Sequence, residues 1–128
     1  MLPFTVNVRM NAPVYEQIIF SVKKAVLSGR LKVGDPFPSV RQLSLELRVN
    51  PNTAHKVVAA LTAEGFLNVK PGIGTVVALP ENIDRQERQQ LLSEDLERLV
   101  VKAKHLNVSE ELLVQNLKKH WKKIGDLP

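Results

Sequence analysis

Residues 49–65, VNPNTAHKVVAALTAEG, have their hydrogen-bonding side chains concentrated at one end. Pro51 suits a first helical position and Gly65 a helix stop, so the segment is predicted to be a helix. Its first turns carry amide, hydroxyl, imidazole and ammonium groups, on Asn50, Asn52, Thr53, His55 and Lys56. Its later turns are mostly apolar, with an inward stripe of Ala54, Val57, Val58 and Leu61. Such a helix can form hydrogen bonds through its amino end while it packs through the rest.

Other chemistry has little support in the sequence. There is no cysteine, which excludes disulfides, thiolate ligands and cysteine nucleophiles. The histidines, His55, His105 and His120, fall in separate predicted elements without metal-ligand spacing, so neither a metal nor a cofactor is expected. The GIG of residues 72–74 lacks the strand-to-helix context of a nucleotide-binding loop and fits a hairpin tip better. No nucleophile–base pair or carboxylate dyad appears, so an enzyme is not expected.

The positive charge of the chain lies in its first part. Residues 1–80 contain nine lysines and arginines against four acidic residues, whereas residues 81–128 contain nine of each. This asymmetry favours a polyanionic partner for the first part and a different task for the second. No apolar run is long enough to span a bilayer and no secretion signal is evident, so a cytoplasmic location is expected.

Two helices are predicted before the opening segment. Residues 5–8 alternate like a short edge strand, and a helix follows from Pro13 to a stop at Gly29. One face of this helix carries Val14, Ile18, Val22 and Val26. A second, short helix starts at Ser39, which stands in capping-box spacing with Gln42. Its inward residues are Val40, Leu43 and Leu47.

A hairpin is predicted after the third helix. Residues 66–79, FLNVKPGIGTVVAL, are two β-rich runs around a tip with two glycines. Three helices followed by a hairpin make a winged helix-turn-helix domain over residues 1–80. In that architecture the third helix enters the major groove of DNA by its amino end.

Residues 81–128 are predicted to form two helices. In the first, leucines and alanine recur with coiled-coil spacing, and in the second, after Ser109, apolar residues line one face. Two such helices cannot close a core alone, so a second subunit is expected to cover them. The predicted dimer interface consists of Leu92, Leu96, Leu99, Ala103, Leu106, Leu113, Leu117 and Trp121. The fold class is therefore mostly α with a small β wing, in a DNA-binding domain and a dimerisation domain.

Five segments resemble the winged-helix domain of the GntR family of bacterial transcription repressors. They are PVYEQI, LSGRLKVGDPFPSVRQLS, VNPNTAHKVVAAL, EGFL and GIGTVV, and they cover about residues 12 to 78. The short tail looks like that of the YtrA-type branch, in which two helices dimerise. The resemblance implies a homodimeric repressor that binds duplex DNA.

The resemblance also implies roles for individual residues. Members of the family contact DNA through an arginine at the position of Arg41, two residues after Ser39. The start of the third helix and the tip of the wing also lie at the DNA in the family. The implied DNA-binding residues are Ser39, Arg41, Asn50, Asn52, Thr53, His55, Lys56, Lys70, Gly72, Ile73, Gly74 and Thr75. Two departures are His55, where many relatives have a basic residue, often arginine, and the wing sequence PGIGT in place of RGRGT. A weaker electrostatic contribution from this wing is therefore expected.

The sequence thus predicts a sequence-specific transcriptional regulator that acts as a homodimeric repressor on a palindromic duplex operator. The alternative is a winged-helix adaptor that binds protein, which would show acidic or apolar residues on the recognition face. Two kinds of regulation stay open. A small-molecule effector could bind at the dimer interface or between the domains, or control could be exerted elsewhere.

Overall fold

The computed structural model describes residues 2–8, 11–81 and 83–125, except for the side chain of Leu91. The elements are the helices α1 (Val14–Leu27), α2 (Val40–Leu47) and α3 (Pro51–Ala63), the strands β1 (Leu67–Lys70) and β2 (Gly74–Val77), and the helices α4 (Arg85–His105) and α5 (Glu110–Ile124). They fall into two compact units, of which one comprises the residues up to Pro80 together with Gly125 and the other spans Glu81–Ile124. The predicted fold class, mostly α with a small β wing, is confirmed.

The third helix begins and ends as its sequence predicts. The Asn50 side chain accepts a hydrogen bond from the Asn52 N–H at 2.8 Å, and Pro51 occupies the first turn. After the helix, the Phe66 N–H donates to the Leu61 carbonyl at 2.9 Å across Gly65, whose φ is +87°. These two ends fix which residues form the exposed first turns of α3.

The core of the first unit lies around α3, which packs against α1, α2 and β1. Its largest fully buried side chains are Ile18, Leu43, Leu61, Val22, Val26, Val57 and Val77. The predicted inward face of α1 is confirmed at three of its four positions. The exception is Val14, which is 37% exposed because the core cluster extends along α1 only from its second turn.

The capping box of α2 is only half formed. The Ser39 hydroxyl accepts from the Gln42 N–H at 3.1 Å, as predicted. The Gln42 amide, however, lies 3.5 Å from Glu46 Oε2 instead of returning to the cap. The carboxylate one turn ahead on the same helix face competes for this donor. At the other end, Arg48 adopts a left-handed conformation with φ +54°, and the chain reverses into α3.

The wing is a two-stranded antiparallel sheet in which Lys70 pairs with Gly74. At its tip the Ile73 N–H donates to the Lys70 carbonyl at 3.1 Å, around Pro71 and Gly72. Gly72 has φ +78°, so this is the proline–glycine sequence of a type II turn. The loop before α2 is joined to the wing by a hydrogen bond of 2.9 Å from the Phe37 N–H to the Thr75 carbonyl.

The strand predicted at residues 5–8 is wrong. These residues have no regular secondary structure, and nothing in the described residues forms a backbone ladder with them. The segment is held instead through side chains. Phe4 is buried and stacks on Phe37 with ring centroids 5.9 Å apart, and Val6 packs against the core. Val8, the other apolar residue of the alternation, is 67% exposed, so the pattern reflects neither strand pairing nor alternate burial.

Substitution of Gly65, which follows α3, tests how closely this residue approaches Pro80. A Cβ added at Gly65 would lie 3.1 Å from Pro80 Cα, whereas one added at Gly29, with φ +82°, would meet nothing within 4 Å. Alanine in a left-handed conformation costs about 1–2 kcal/mol by itself. We expect Gly29→Ala to lower the free energy of unfolding by about that amount, and Gly65→Ala by about 1 kcal/mol more. Urea unfolding followed by circular dichroism measures both, and equal losses would contradict the close approach.

Candidate nucleic-acid interface

The amino end of α3 exposes a polar face above a buried apolar one. Asn52, His55 and Lys56 are exposed and Thr53 is half-buried. Asn52 lies three and four residues before His55 and Lys56, so the three share one side of the helix. Ala54, Val57 and Leu61, on the other side, are buried in the core. Within the described residues, no hydrogen bond engages the side chain of Asn52 or Thr53, so both are available to a ligand.

The first turn of α2 adds a cation to this unit. Arg41 is exposed and follows Ser39 by two residues, and α2 packs against α3. Among the described residues the only ion pair joins Lys23 and Glu64, so none of those residues neutralises the Arg41 guanidinium. An arginine fork can bind a guanine edge through two hydrogen bonds, or clamp a phosphate.

The wing presents an apolar tip rather than a cationic one. Ile73 is 75% exposed, and Lys70, Gly72 and Gly74 are also exposed, while Thr75 is half-buried. The hydrogen bond between Phe37 and Thr75 connects this hairpin to the loop that leads into α2. The wing and the first turn of α2 are therefore held by the same backbone network.

Two of the predicted DNA-binding residues have structural tasks. The side-chain amide oxygen of Asn50 caps α3, and the hydroxyl oxygen of Ser39 caps α2. Each accepts a hydrogen bond from a backbone N–H. Each capping oxygen uses one of its two acceptor sites in this way, which leaves the other site, together with the amide NH₂ of Asn50 and the hydroxyl hydrogen of Ser39. Both side chains thus have less freedom to bind a ligand than Asn52 or Arg41.

The structure adds two residues to this region that the sequence pattern did not indicate. Arg48 is exposed in the turn between α2 and α3, where its positive φ makes the reversal. Tyr15, in the first turn of α1, lies under Lys56, whose Nζ is 5.0 Å from the centroid of the ring. Because Tyr15 and Lys56 are far apart in sequence, no periodicity could have linked them.

Most of the predicted dimer interface is uncovered in the single chain. Exposure ranges from 40% at Leu99 to 68% at Trp121 for six of its residues, namely Leu92, Leu96, Leu99, Leu106, Leu117 and Trp121. Leu113 is half-buried, and Ala103, at 7%, is already covered by its own chain. Apolar residues outside the predicted set are exposed as well, at Val100, Leu112 and Val114. In the described part of the tail, α4 and α5 do not pack along their lengths.

Among the described residues, no helix has the length and apolar character needed to cross a membrane.

Comparison with known families identifies the first unit. The family model for bacterial regulatory proteins of the gntR family matches residues 14–77, which is half of the chain. The chain belongs to the GntR family. The GntR-family match contains α1, α2, α3 and the wing, and therefore all the elements that carry the exposed polar face. The resemblance stated from sequence motifs is confirmed.

A curated relative matches this GntR-family protein over most of its length. The chain is 33% identical over 114 residues to the HTH-type transcriptional repressor YtrA of Bacillus subtilis (strain 168), which covers 88% of each protein. An uncharacterized HTH-type transcriptional regulator of the same organism, YhcF, is 29% identical over 106 residues, or 83% of this chain and 88% of YhcF. The family and these relatives are transcription regulators, not enzymes.

Two solved structures extend the similarity through the tail. A transcriptional antiterminator from Listeria monocytogenes EGD-e superposes with a TM-score of 0.82 at 26% identity, covering 98% of this chain and 96% of that one. YtrA from Sulfolobus acidocaldarius, a GntR-family transcription factor, superposes with a TM-score of 0.53 at 28% identity, covering 90% and 93%. The chain is thus a GntR-family DNA-binding regulator with a winged helix-turn-helix fold.

Proposed function

We propose that this protein is a sequence-specific repressor that binds a palindromic duplex operator as a homodimer in the cytoplasm. Residues 1–80 are the DNA-binding domain and residues 81–128 the dimerisation domain. The observation that carries the proposal is the first two turns of α3, where an exposed face of Asn52, His55 and Lys56 backs onto a fully buried apolar face. A recognition helix needs this division, because its amino end reaches base edges while the rest packs.

The residues of the interface divide between bases and backbone by their chemistry. Asparagine matches the adenine edge and arginine the guanine edge, so Asn52 and Arg41 are assigned to base edges. Lysine is a point charge suited to phosphate, so Lys56 and Lys70 are assigned to the backbone. Ile73, exposed at the tip of the wing, packs against the sugar edges of a groove.

The uncovered apolar face of the tail supports the homodimer. Helices that expose a row of leucines and a tryptophan are completed by packing against another apolar face. A second copy of this chain brings the same face, and a twofold axis makes it self-complementary. The same axis relates the two α3 helices, so the operator has two inverted half-sites. The relative named YtrA is a repressor, which supports the repressor role here.

Neither a protein adaptor nor a single-strand binder fits the exposed face as well. Residues 50–56, the first turns of α3 and its cap, include no acidic side chain and no large apolar one. Single-strand recognition uses aromatic stacking platforms. Phe20 and Trp121 are the exposed large aromatics among the described residues, and neither lies on α2, α3 or the wing.

Selection from random DNA tests the proposed function. The purified full chain is incubated with random duplexes at low salt, and the bound sequences are amplified over several rounds. We expect an inverted repeat to be enriched, with both half-sites on one face of the duplex. Parallel pools of single-stranded DNA and RNA serve as controls. Failure to enrich any duplex would contradict DNA reading and favour the adaptor, and enrichment of a single unrepeated half-site would contradict the dimer.

A further inference from the structure

We infer that Tyr15 is a positioning residue that holds the Lys56 ammonium for a DNA phosphate. This inference rests on the proposed function and adds α1 to the interface. Lys56 Nζ lies 5.0 Å from the centroid of the Tyr15 ring, within the range of a cation–π interaction. Its partner is the ring, over which the ammonium lies, and the Tyr15 hydroxyl donates to Glu16 Oε1 at 3.4 Å.

The Tyr15 ring is a fixed support for a flexible cation. Tyr15 is half-buried and packs against the core cluster, so its ring position is set by the fold. Lys56 is exposed, and a free lysine side chain samples many rotamers that binding must restrict. Contact with the ring confines the ammonium beside the first turn of α1 before DNA arrives. Part of the ordering that a phosphate contact requires is thereby completed in the free protein.

The charge of Lys56 stays available because an aromatic ring does not neutralise it. A second lysine in the same domain provides the comparison. Lys23 Nζ lies 5.5 Å from the centroid of the Phe66 ring, but it also forms a 3.0 Å ion pair with Glu64 Oε1. Within the described residues, Lys56 has no such carboxylate partner. Lys23 therefore ties α1 to the end of α3, whereas Lys56 is held in place and left charged.

The geometry also assigns Lys56 to the backbone rather than to a base. A lysine that reads a guanine must extend from the helix into the groove, whereas this ammonium is drawn sideways to α1. Phosphate contacts contribute equally to the binding of every sequence. Lys56→Ala should therefore weaken binding by the same factor for the preferred duplex, which is the one selected from random DNA, and for a duplex of the same composition in shuffled order. Loss of one contact per subunit should also make the slope of log affinity against log salt shallower by about 1.8 for the dimer.

A double-mutant cycle tests the positioning role. Full-length dimers of wild type, Tyr15→Leu, Lys56→Ala and the double variant are titrated with both duplexes. We expect Tyr15→Leu to lower affinity about two- to fivefold per subunit, and Tyr15→Phe to retain wild-type affinity because it keeps the ring. In the Lys56→Ala background, Tyr15→Leu should have no further effect.

The controls separate the possible failures. Lys23→Ala removes a matched lysine–aromatic contact and should leave the salt slope unchanged, with its effect confined to the stability of the fold. If Tyr15→Leu lowers affinity equally with and without Lys56, or has no effect at all, the positioning role is overturned. A Lys56→Ala variant that loses only the preferred duplex would overturn the phosphate assignment. Failure of wild type to bind any duplex would instead overturn the proposed function.

Discussion

Arg41→Glu should lower the affinity of the proposed dimer for its preferred duplex by roughly 10²–10³-fold. A good bidentate arginine contact contributes about 1–3 kcal/mol, and the dimer loses two of them. Each new carboxylate also repels the DNA backbone. The variant should fold normally, because Arg41 is exposed, has no ion-pair partner among the described residues, and occupies the first turn of α2. Glutamate is favourable there, near the positive end of the helix dipole.

The matched control for this variant is Arg98→Glu in α4. It makes the same change in net charge at an exposed position of the other unit. Arg98 lies two residues after Leu96, on the side of α4 that faces away from the proposed dimer interface. Fluorescence anisotropy with a labelled duplex at fixed salt measures both variants. Comparable losses for the two would show that overall charge, rather than a contact made by Arg41, determines affinity.

Leu99→Glu should convert the dimer to a monomer and lower affinity for the palindrome about a hundredfold or more. Leu99 is at the centre of the leucine row of α4 and is 40% exposed in the single chain. Burial of a leucine contributes about 1.5–3 kcal/mol, and the change places two carboxylates across the seam. A monomer forfeits the second half-site, which a linked subunit binds at high effective concentration. Affinity for an isolated half-site should be unchanged.

Val101→Glu is the control for the seam. Val101 lies two residues further along α4, about 200° around the helix, and is 62% exposed. The Val101→Glu substitution introduces the same charge as Leu99→Glu, but on the side of α4 that faces away from the leucine row. Sedimentation velocity should show dimers for wild type and Val101→Glu and monomers for Leu99→Glu. Dimers in all three would contradict the tail as the dimerisation surface.

The caps and apolar stripes of the sequence predicted the elements of the fold well. Asn50, Ser39 and Ser109 are short polar side chains placed before apolar periodic segments, and each caps the helix predicted from it. Local hydrogen bonding decides these positions, so the sequence alone contains the information. The paired glycines of the wing likewise predict a tip, because positive φ is a local requirement.

The failures arose where a second local partner competes for a side chain or where other parts of the chain decide the outcome. Residues 5–8 alternate like a strand, but no strand in the described part of the chain pairs with them. Gln42 had the spacing to complete a capping box, but Glu46 attracted its amide. Ala103 fits the leucine heptad, yet its own chain buries it. The contact between Tyr15 and Lys56 depends on how α1 crosses α3, which no sequence spacing specifies.

The sequence predicted the residue types of the candidate site, but not which of its side chains make no hydrogen bond to the described residues. A polar start to an apolar helix indicates a surface for hydrogen bonding, and the family motifs add Arg41 and the wing. The sequence already indicates caps at Asn50 and Ser39, and the structure adds that no described residue forms a hydrogen bond with the side chain of Asn52 or Thr53. That distinction selects Asn52 and Thr53 as the residues on which we expect the reading of DNA to depend.

The most direct test of this account is the discrimination of the Asn52→Ala/Thr53→Ala double variant between the preferred and a shuffled duplex. Alanine favours helix, so α3 should persist, and the phosphate contacts are untouched. Wild type should prefer its selected duplex by roughly 10³-fold or more at physiological salt. The variant should lose about a hundredfold of that preference while its affinity for the shuffled duplex stays the same. An unchanged preference would show that the amino end of α3 does not read the bases.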